Sequence, residues 1–240
     1  NAVQAAIETG YTHIDTAAIY GNEKGVGEGI RRSGTKREDL FLVSKVWNDR
    51  QAHDDTLAAF QESLDRLGTD YLDLYLVHWP KPLSGECWSA LEKLHRDGKA
   101  RAIGVCNFTP GQMDELLKTA EIVPMVNQVE LHPQFPQHEL QAYCREKGML
   151  VESWGPLMQG KIFGIPLVED MAARHGCTVA QLAVAWQFQQ DNICLVKSVS
   201  PQRIRENFQV PDITFDSADL ELLAGLEGDR VGADPENFDF

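Results

Sequence analysis

The chain has 240 residues, with 22 lysines and arginines against 36 aspartates and glutamates, a formal net charge of −14. Its 43% hydrophobic and 24% charged content is that of a folded globular protein and excludes a disordered or fibrous chain. So acidic a balance also excludes a broad nucleic-acid or anionic-membrane surface, since both need clustered lysine and arginine, and any anionic ligand must meet a few local bases.

Taken in chain order, Ala2, Val3, Ala6 and Ile7 predict a helix that Gly10 ends. Strands rich in branched residues are predicted at 12–17, 40–46, 72–78 and 100–106, with helices between them at 22–33, 55–67 and 87–97. In the second of these helices Leu57, Phe60, Leu64 and Leu67 recur at helical spacing. The alternation continues through a helix at 110–119, a strand at 125–130, a helix at 137–147 and a strand at 149–154. Helices at 168–175 and 178–189, a strand at 193–198 and a helix at 201–208 complete it.

Alternating strand and helix implies parallel strands joined by helical crossovers, either as an open doubly wound sheet or as a closed (β/α)8 barrel. The open sheet would bind a dinucleotide through a glycine fingerprint directly after a strand. The one candidate, Gly25-Val26-Gly27-Glu28-Gly29-Ile30, has isoleucine at the last glycine position and starts well beyond a strand. That weakens a doubly wound dehydrogenase. The expected fold is a single-domain α/β (β/α)8 TIM barrel, and its rhythm requires a first strand and N-terminal hairpin ahead of residue 1. The five cysteines are scattered, with neither C-x-x-C nor zinc-finger spacing, which points to a reduced, cytoplasmic chain without a metal site. No apolar stretch is long enough for a membrane-spanning helix.

Barrel chemistry gathers where strands end. The predicted strand ends carry Asp15, Lys45, His78, Asn107, Gln128, Trp154 and Lys197. A lysine closing an apolar strand needs a carboxylate partner, and Asp15 is the natural one. Tyr20 leaves the same strand five residues later, and His78 precedes Trp79. Each has a bland reading as an ion pair, packing tyrosine or core histidine; together they make an acid–base constellation without a nucleophile.

The segments His13-Ile14-Asp15-Thr16-Ala17-Ala18-Ile19-Tyr20-Gly21-Asn22-Glu23, Ser44-Lys45-Val46-Trp47-Asn48, Leu74-Tyr75-Leu76-Val77-His78-Trp79-Pro80, Gly104-Val105-Cys106-Asn107-Phe108, Asn127-Gln128-Val129-Glu130-Leu131-His132-Pro133 and Lys197-Ser198-Val199 resemble the aldo-keto reductase superfamily. Within it, Trp47-Asn48-Asp49, Glu152-Ser153-Trp154-Gly155-Pro156-Leu157 and Asp234-Pro235-Glu236-Asn237-Phe238 are most similar to bacterial 2,5-diketo-D-gluconate reductases.

The resemblance implies NADPH-dependent reduction of aldehydes or ketones. Tyr20 would be the general acid, with its pKa lowered by Lys45, while Asp15 holds Lys45 and His78 orients the carbonyl. Asn107 and Gln128 would hold the nicotinamide carboxamide beside Cys106, where serine is common, and Trp154 would stack on the ring next to Gly155 and Leu157. Lys197, Ser198, Val199 and Arg203 would take the 2′-phosphate end, and Glu206 and Asn207 the adenine. Trp47, Asn48, His78 and Trp79 would line the pocket for a small carbonyl: diketogluconate, methylglyoxal, a β-keto ester or an aromatic aldehyde. A monomer is implied. The competing reading is a cofactor-binding regulatory protein on the same barrel.

Overall fold

Strands β1 (His13–Asp15), β2 (Phe41–Val46), β3 (Leu72–Val77), β4 (Ala100–Cys106), β5 (Val126–Glu130), β6 (Leu150–Trp154) and β7 (Ile193–Cys194) lie side by side in sequence order, every pairing parallel. The computed structural model describes residues 1–240 except Glu227. Around the sheet run α1 (Ala2–Thr9), α2 (Glu23–Ser33), α3 (His53–Leu67), α4 (Ser84–Arg96), α5 (Pro110–Leu117), α6 (His138–Glu146), α7 (Pro166–Arg174), α8 (Val179–Gln189), α9 (Pro201–Phe208) and α10 (Ser217–Ala224).

The sheet is curled in the manner of a (β/α)8 barrel. Gln128 on β5 reaches Asp15 on β1, although four strand pairings separate them. First and last units also meet: the Tyr11 hydroxyl donates to the Ile204 carbonyl at 3.3 Å, and its ring lies 4.9 Å from Phe208. Gly10, at φ 123°, closes α1 at this seam, where a Cβ would stand 2.6 Å from Phe208.

Burial on both faces explains why β3, Leu-Asp-Leu-Tyr-Leu-Val, is apolar nearly throughout. Its outward residues Tyr75 and Val77 belong to the core shared with Phe60 of α3 and Leu91 of α4, the Tyr75 and Phe60 rings lying 4.9 Å apart, while Leu74 and Leu76 join Val43, Cys106 and Val126 in an inner cluster. Gly104 belongs to that inner face by necessity, because a Cβ there would lie 2.5 Å from the Val126 carbonyl and 2.8 Å from Leu76. On β1, β5 and β6 the same inward positions are polar: His13, Asp15, Gln128 and Glu152. The barrel interior is thus apolar on one side and charged on the other.

Two elements depart from the expectation. The strand expected at 193–198 forms ladder pairs only at Ile193 and Cys194, because beyond the Leu195 N–H bond to Ser153 the chain turns. The Ser198 hydroxyl accepts from Ser200 N–H at 3.2 Å and leads directly into α9. Helix α10 is additional; Asp216 caps it by accepting from Asp219 N–H at 2.8 Å, and Leu223 is buried.

Candidate active site

The acid–base corner is built from β1, β2 and the loop after β1. That loop is short and pinned: the Thr16 hydroxyl donates to Asn22 at 2.6 Å, and buried Glu23 accepts from Ser44 at 2.5 Å and Arg66 at 2.7 Å. Between these anchors a 3-10 turn over Ala18–Tyr20 presents Tyr20. Lys45, fully buried, projects from β2 and donates to Asp15 Oδ1 at 2.5 Å and to the Thr16 carbonyl at 2.9 Å. Its Nζ stands 5.4 Å from the centre of the Tyr20 ring. The Tyr20 and His78 rings meet edge to face with centres 5.7 Å apart. Asp15, Tyr20, Lys45 and His78 therefore converge.

Electrostatics here follow from burial among opposed charges. Burial alone would push Lys45 down, but Asp15, Tyr20 and Cys106 raise it above the ordinary lysine value, so the ammonium is permanent. Burial raises Asp15, Lys45 lowers it and Glu152 raises it again; a carboxylate at this distance from a fixed ammonium makes the ion pair the resting arrangement. For Tyr20, burial raises the phenol and outweighs the lowering by Lys45, with Asp15 and Cys106 adding to the rise. The expectation of a lowered tyrosine is thereby corrected. The phenol therefore keeps its proton at neutral pH. His78 is pushed down to about 3, first by burial and then by Lys45, so its imidazole is neutral, and its Nδ1 is buried without a partner among the described residues.

Gln128 sits within β5 and not at its end. Its Nε2 donates to Asp15 at 3.0 Å and to Glu152 at 2.7 Å, which spends the amide's donor end on carboxylates and leaves Oε1 as the end available to a ligand. Asn107, at φ 62°, donates to the His78 carbonyl at 3.1 Å and accepts from Trp154 Nε1 at 2.9 Å, which fixes the indole's orientation. Cys106 is buried beside this corner, where burial lifts its thiol far above the ordinary value. Gly155 turns the chain at φ 69°, and Leu157 packs on the outer core.

Of the pocket residues, Trp47 lies edge-on to His78 at 5.1 Å, and Trp79 is buried one position beyond it. Asn48 does not stand free: its Nδ2 donates to the Phe240 carbonyl at 3.1 Å. Phe240 stacks on Trp47 at 5.8 Å and 8°, and meets Trp79 at 5.2 Å.

Lys197, Ser198, Val199, Arg203, Glu206 and Asn207 form a separate group at the start of α9. Ser200 caps that helix and Pro201 opens it. Lys197 and Arg203 are exposed, and neither has an ion-pair partner among the described residues. Asn207 is buried rather than solvated, so it faces the protein and not bulk water. Two inward groups escaped the sequence reading, Glu152 and His13, which lie 3.0 Å apart. A glutamate inside the apolar run of β6 was the available signal.

The aldo/keto reductase family model matches residues 1–227. The chain belongs to this family. The glyoxal reductase of Bacillus subtilis is 49% identical over 241 residues, covering 100% of this chain and 87% of its own length. A variant of Gox0644 in complex with NADPH superposes with TM-score 0.94 at 36% identity, covering 100% of this chain and 89% of its own. A putative 2,5-diketo-D-gluconic acid reductase B matches with TM-score 0.91 at 38% identity, covering 96% of this chain and 83% of its own. The chain is accordingly an oxidoreductase.

Proposed function

We propose that this aldo/keto reductase reduces small aldehydes and ketones with NADPH, that α-dicarbonyls such as glyoxal and methylglyoxal or a diketogluconate are its preferred class, and that Tyr20 is the general acid. The observation that carries the reading is the convergence of Tyr20, Lys45 and His78 with Asp15 holding the ammonium. The residues present fit NADPH: Gln128 offers an oriented acceptor, Trp154 a fixed indole, and Lys197 with Arg203 two uncompensated positive charges in a strongly acidic chain. Gln128 and Asn107 would hold the carboxamide beside Cys106, Trp154 would stack on the ring with Gly155 and Leu157 shaping its bed, and Lys197, Ser198, Val199 and Arg203 would take the 2′-phosphate, with Glu206 and Asn207 near the adenine. NADPH supplies the hydride.

A protonated phenol and a neutral imidazole together suit a carbonyl oxygen. His78 donates a hydrogen bond to it without carrying charge, and Tyr20 gives up its proton as negative charge grows there. Lys45 stands ready to steady the phenolate, and Asp15 keeps Lys45 fixed so that no rearrangement is needed. Trp47 and Trp79 offer flat apolar walls for a small substrate, with Asn48 as a polar contact. The five free cysteines accord with work in the cytoplasm, and the expected state is a monomer.

The test is loss of NADPH absorbance with methylglyoxal, 2,5-diketogluconate and an aromatic aldehyde, with NADH in parallel. Turnover with NADPH on the dicarbonyls is the expected result. Tight NADPH binding without turnover on any of the three would favour the regulatory reading.

A further inference from the structure

Glu130, the last residue of β5, is 2% exposed and spends both carboxylate oxygens on a segment 101 residues away. Val231 N–H donates to Oε1 at 2.5 Å, Gly232 N–H donates to Oε2 at 3.0 Å and Oε1 at 3.2 Å, and His132 Nε2 lies 3.1 Å from Oε1. His132 is itself wholly buried. A carboxylate so buried is tolerable only because these donors meet it, and the same donors hold its pKa below the ordinary value against the upward push of burial.

What this carboxylate fastens matters to the site. A Cβ on Gly232 would stand 2.3 Å from Trp154 Cη2 and 3.0 Å from Glu130 Oε2, so the backbone is laid directly on the indole edge. On its other side the same indole donates to Asn107. From Gly232 the chain runs on over the rim. Gln112 donates to the Pro235 carbonyl at 3.0 Å, the Phe238 ring lies 4.8 Å from Trp79 under the Lys81 ammonium, and Phe240 stacks on Trp47. These later contacts are ring packing, one cation–π contact and hydrogen bonds to neutral groups; the buried carboxylate stands at the segment's root.

We propose that Glu130 is a positioning residue: its carboxylate clamps the backbone at Val231 and Gly232 onto Trp154, and through that clamp sets where Phe238 and Phe240 wall the carbonyl pocket. The pocket role rests on the reductase reading; the clamp does not. Glu130 touches no reacting group, so its loss acts on substrate capture and leaves the chemical step alone.

The experiment compares the full chain with Glu130→Gln and Gly232→Ala. Glutamine keeps the size but turns one acceptor into a donor that faces amide N–H groups, while the alanine methyl lifts the backbone from the indole and from Oε2 without changing the Glu130 side chain itself. In both variants, amide hydrogen exchange in peptides spanning 229–240 should quicken by at least about tenfold, with β2, β3 and β4 unchanged. KM for methylglyoxal should rise about fivefold or more, with kcat within about twofold of the unaltered chain. Should Glu130→Gln loosen the strands as well, Gly232→Ala decides alone.

Unchanged exchange at 229–240 in Gly232→Ala, or faster exchange with KM unmoved, overturns the proposal, as does a fall in kcat at constant KM. If the unaltered chain reduces no carbonyl, the reductase reading fails and the pocket role with it, while the exchange rates still decide the clamp.

Discussion

The corner at β1 and β2 and the start of α9 both hold cationic side chains, yet they are built in opposite ways. Lys45 is fully buried and already bonded to Asp15 and Thr16, whereas Lys197 and Arg203 are exposed and unpaired among the described residues. The first arrangement is finished before any ligand arrives, as preorganised electrostatics require. The second is completed only by an anion. Substitutions in the corner should therefore act on kcat and on folding, and those at α9 on binding and its dependence on salt.

The largest expected effect is that of Lys45→Met. Removing the ammonium leaves Asp15 and Glu152 as facing buried carboxylates, and urea unfolding should show a loss of roughly 3–5 kcal/mol together with loss of turnover. Retained stability would mean that Asp15 takes up a proton at little cost. Next, Tyr20→Phe should lower kcat at least about a hundredfold while NADPH titration gives an unchanged dissociation constant, since the proton donor goes and little else. Unchanged turnover would remove Tyr20 from the mechanism.

His78 separates the two regions by pH. Its ordinary value of 6.5 falls to about 3 in the folded chain, so the unfolded state binds the extra proton first. The stability tied to the neutral ring is complete above 6.5 and drains away as pH drops toward 3, at up to about 1.4 kcal/mol per pH unit. Urea midpoints between pH 6.5 and 4.5 should fall less steeply in His78→Gln, and parallel slopes would show that the ring is protonated in the fold. The smallest effect belongs to α9. Lys197→Ala and Arg203→Ala should each weaken NADPH about tenfold or less, leave NADH untouched, and lose their influence in high salt. NADPH binding that ignores both changes would move the phosphate elsewhere.

Much of this was legible from residue order. Branched runs mark all seven strands, and the rule that a lysine ending such a run needs a carboxylate pairs Lys45 with Asp15 correctly. What escaped is non-local. Glu152 pairs with His13 across the barrel interior, and no pattern within either strand names the other. Likewise nothing near Trp47 announces that Phe240 stacks upon it, since the partners lie far apart in the chain. The strand expected through Lys197 stops at Cys194 because a serine turn takes over, a local choice that the apolar run Ile193–Val196 masks. The direction of the Tyr20 shift was also missed, because spacing shows a neighbouring charge but not the burial that outweighs it.

The seam between α1 and α9 has a consequence for how the protein acquires activity. Tyr11 bonds to Ile204 across 193 residues, and Asp15 bonds to Gln128 across 113. Pairings of such span are rewarded only after long loops have closed, so they are slow to form and come late. Asp15 belongs to both the acid–base corner and strand β1, and Tyr11 lies just ahead of that strand. Catalytic competence should therefore lag behind the appearance of helical structure during refolding, arriving as a late and cooperative event.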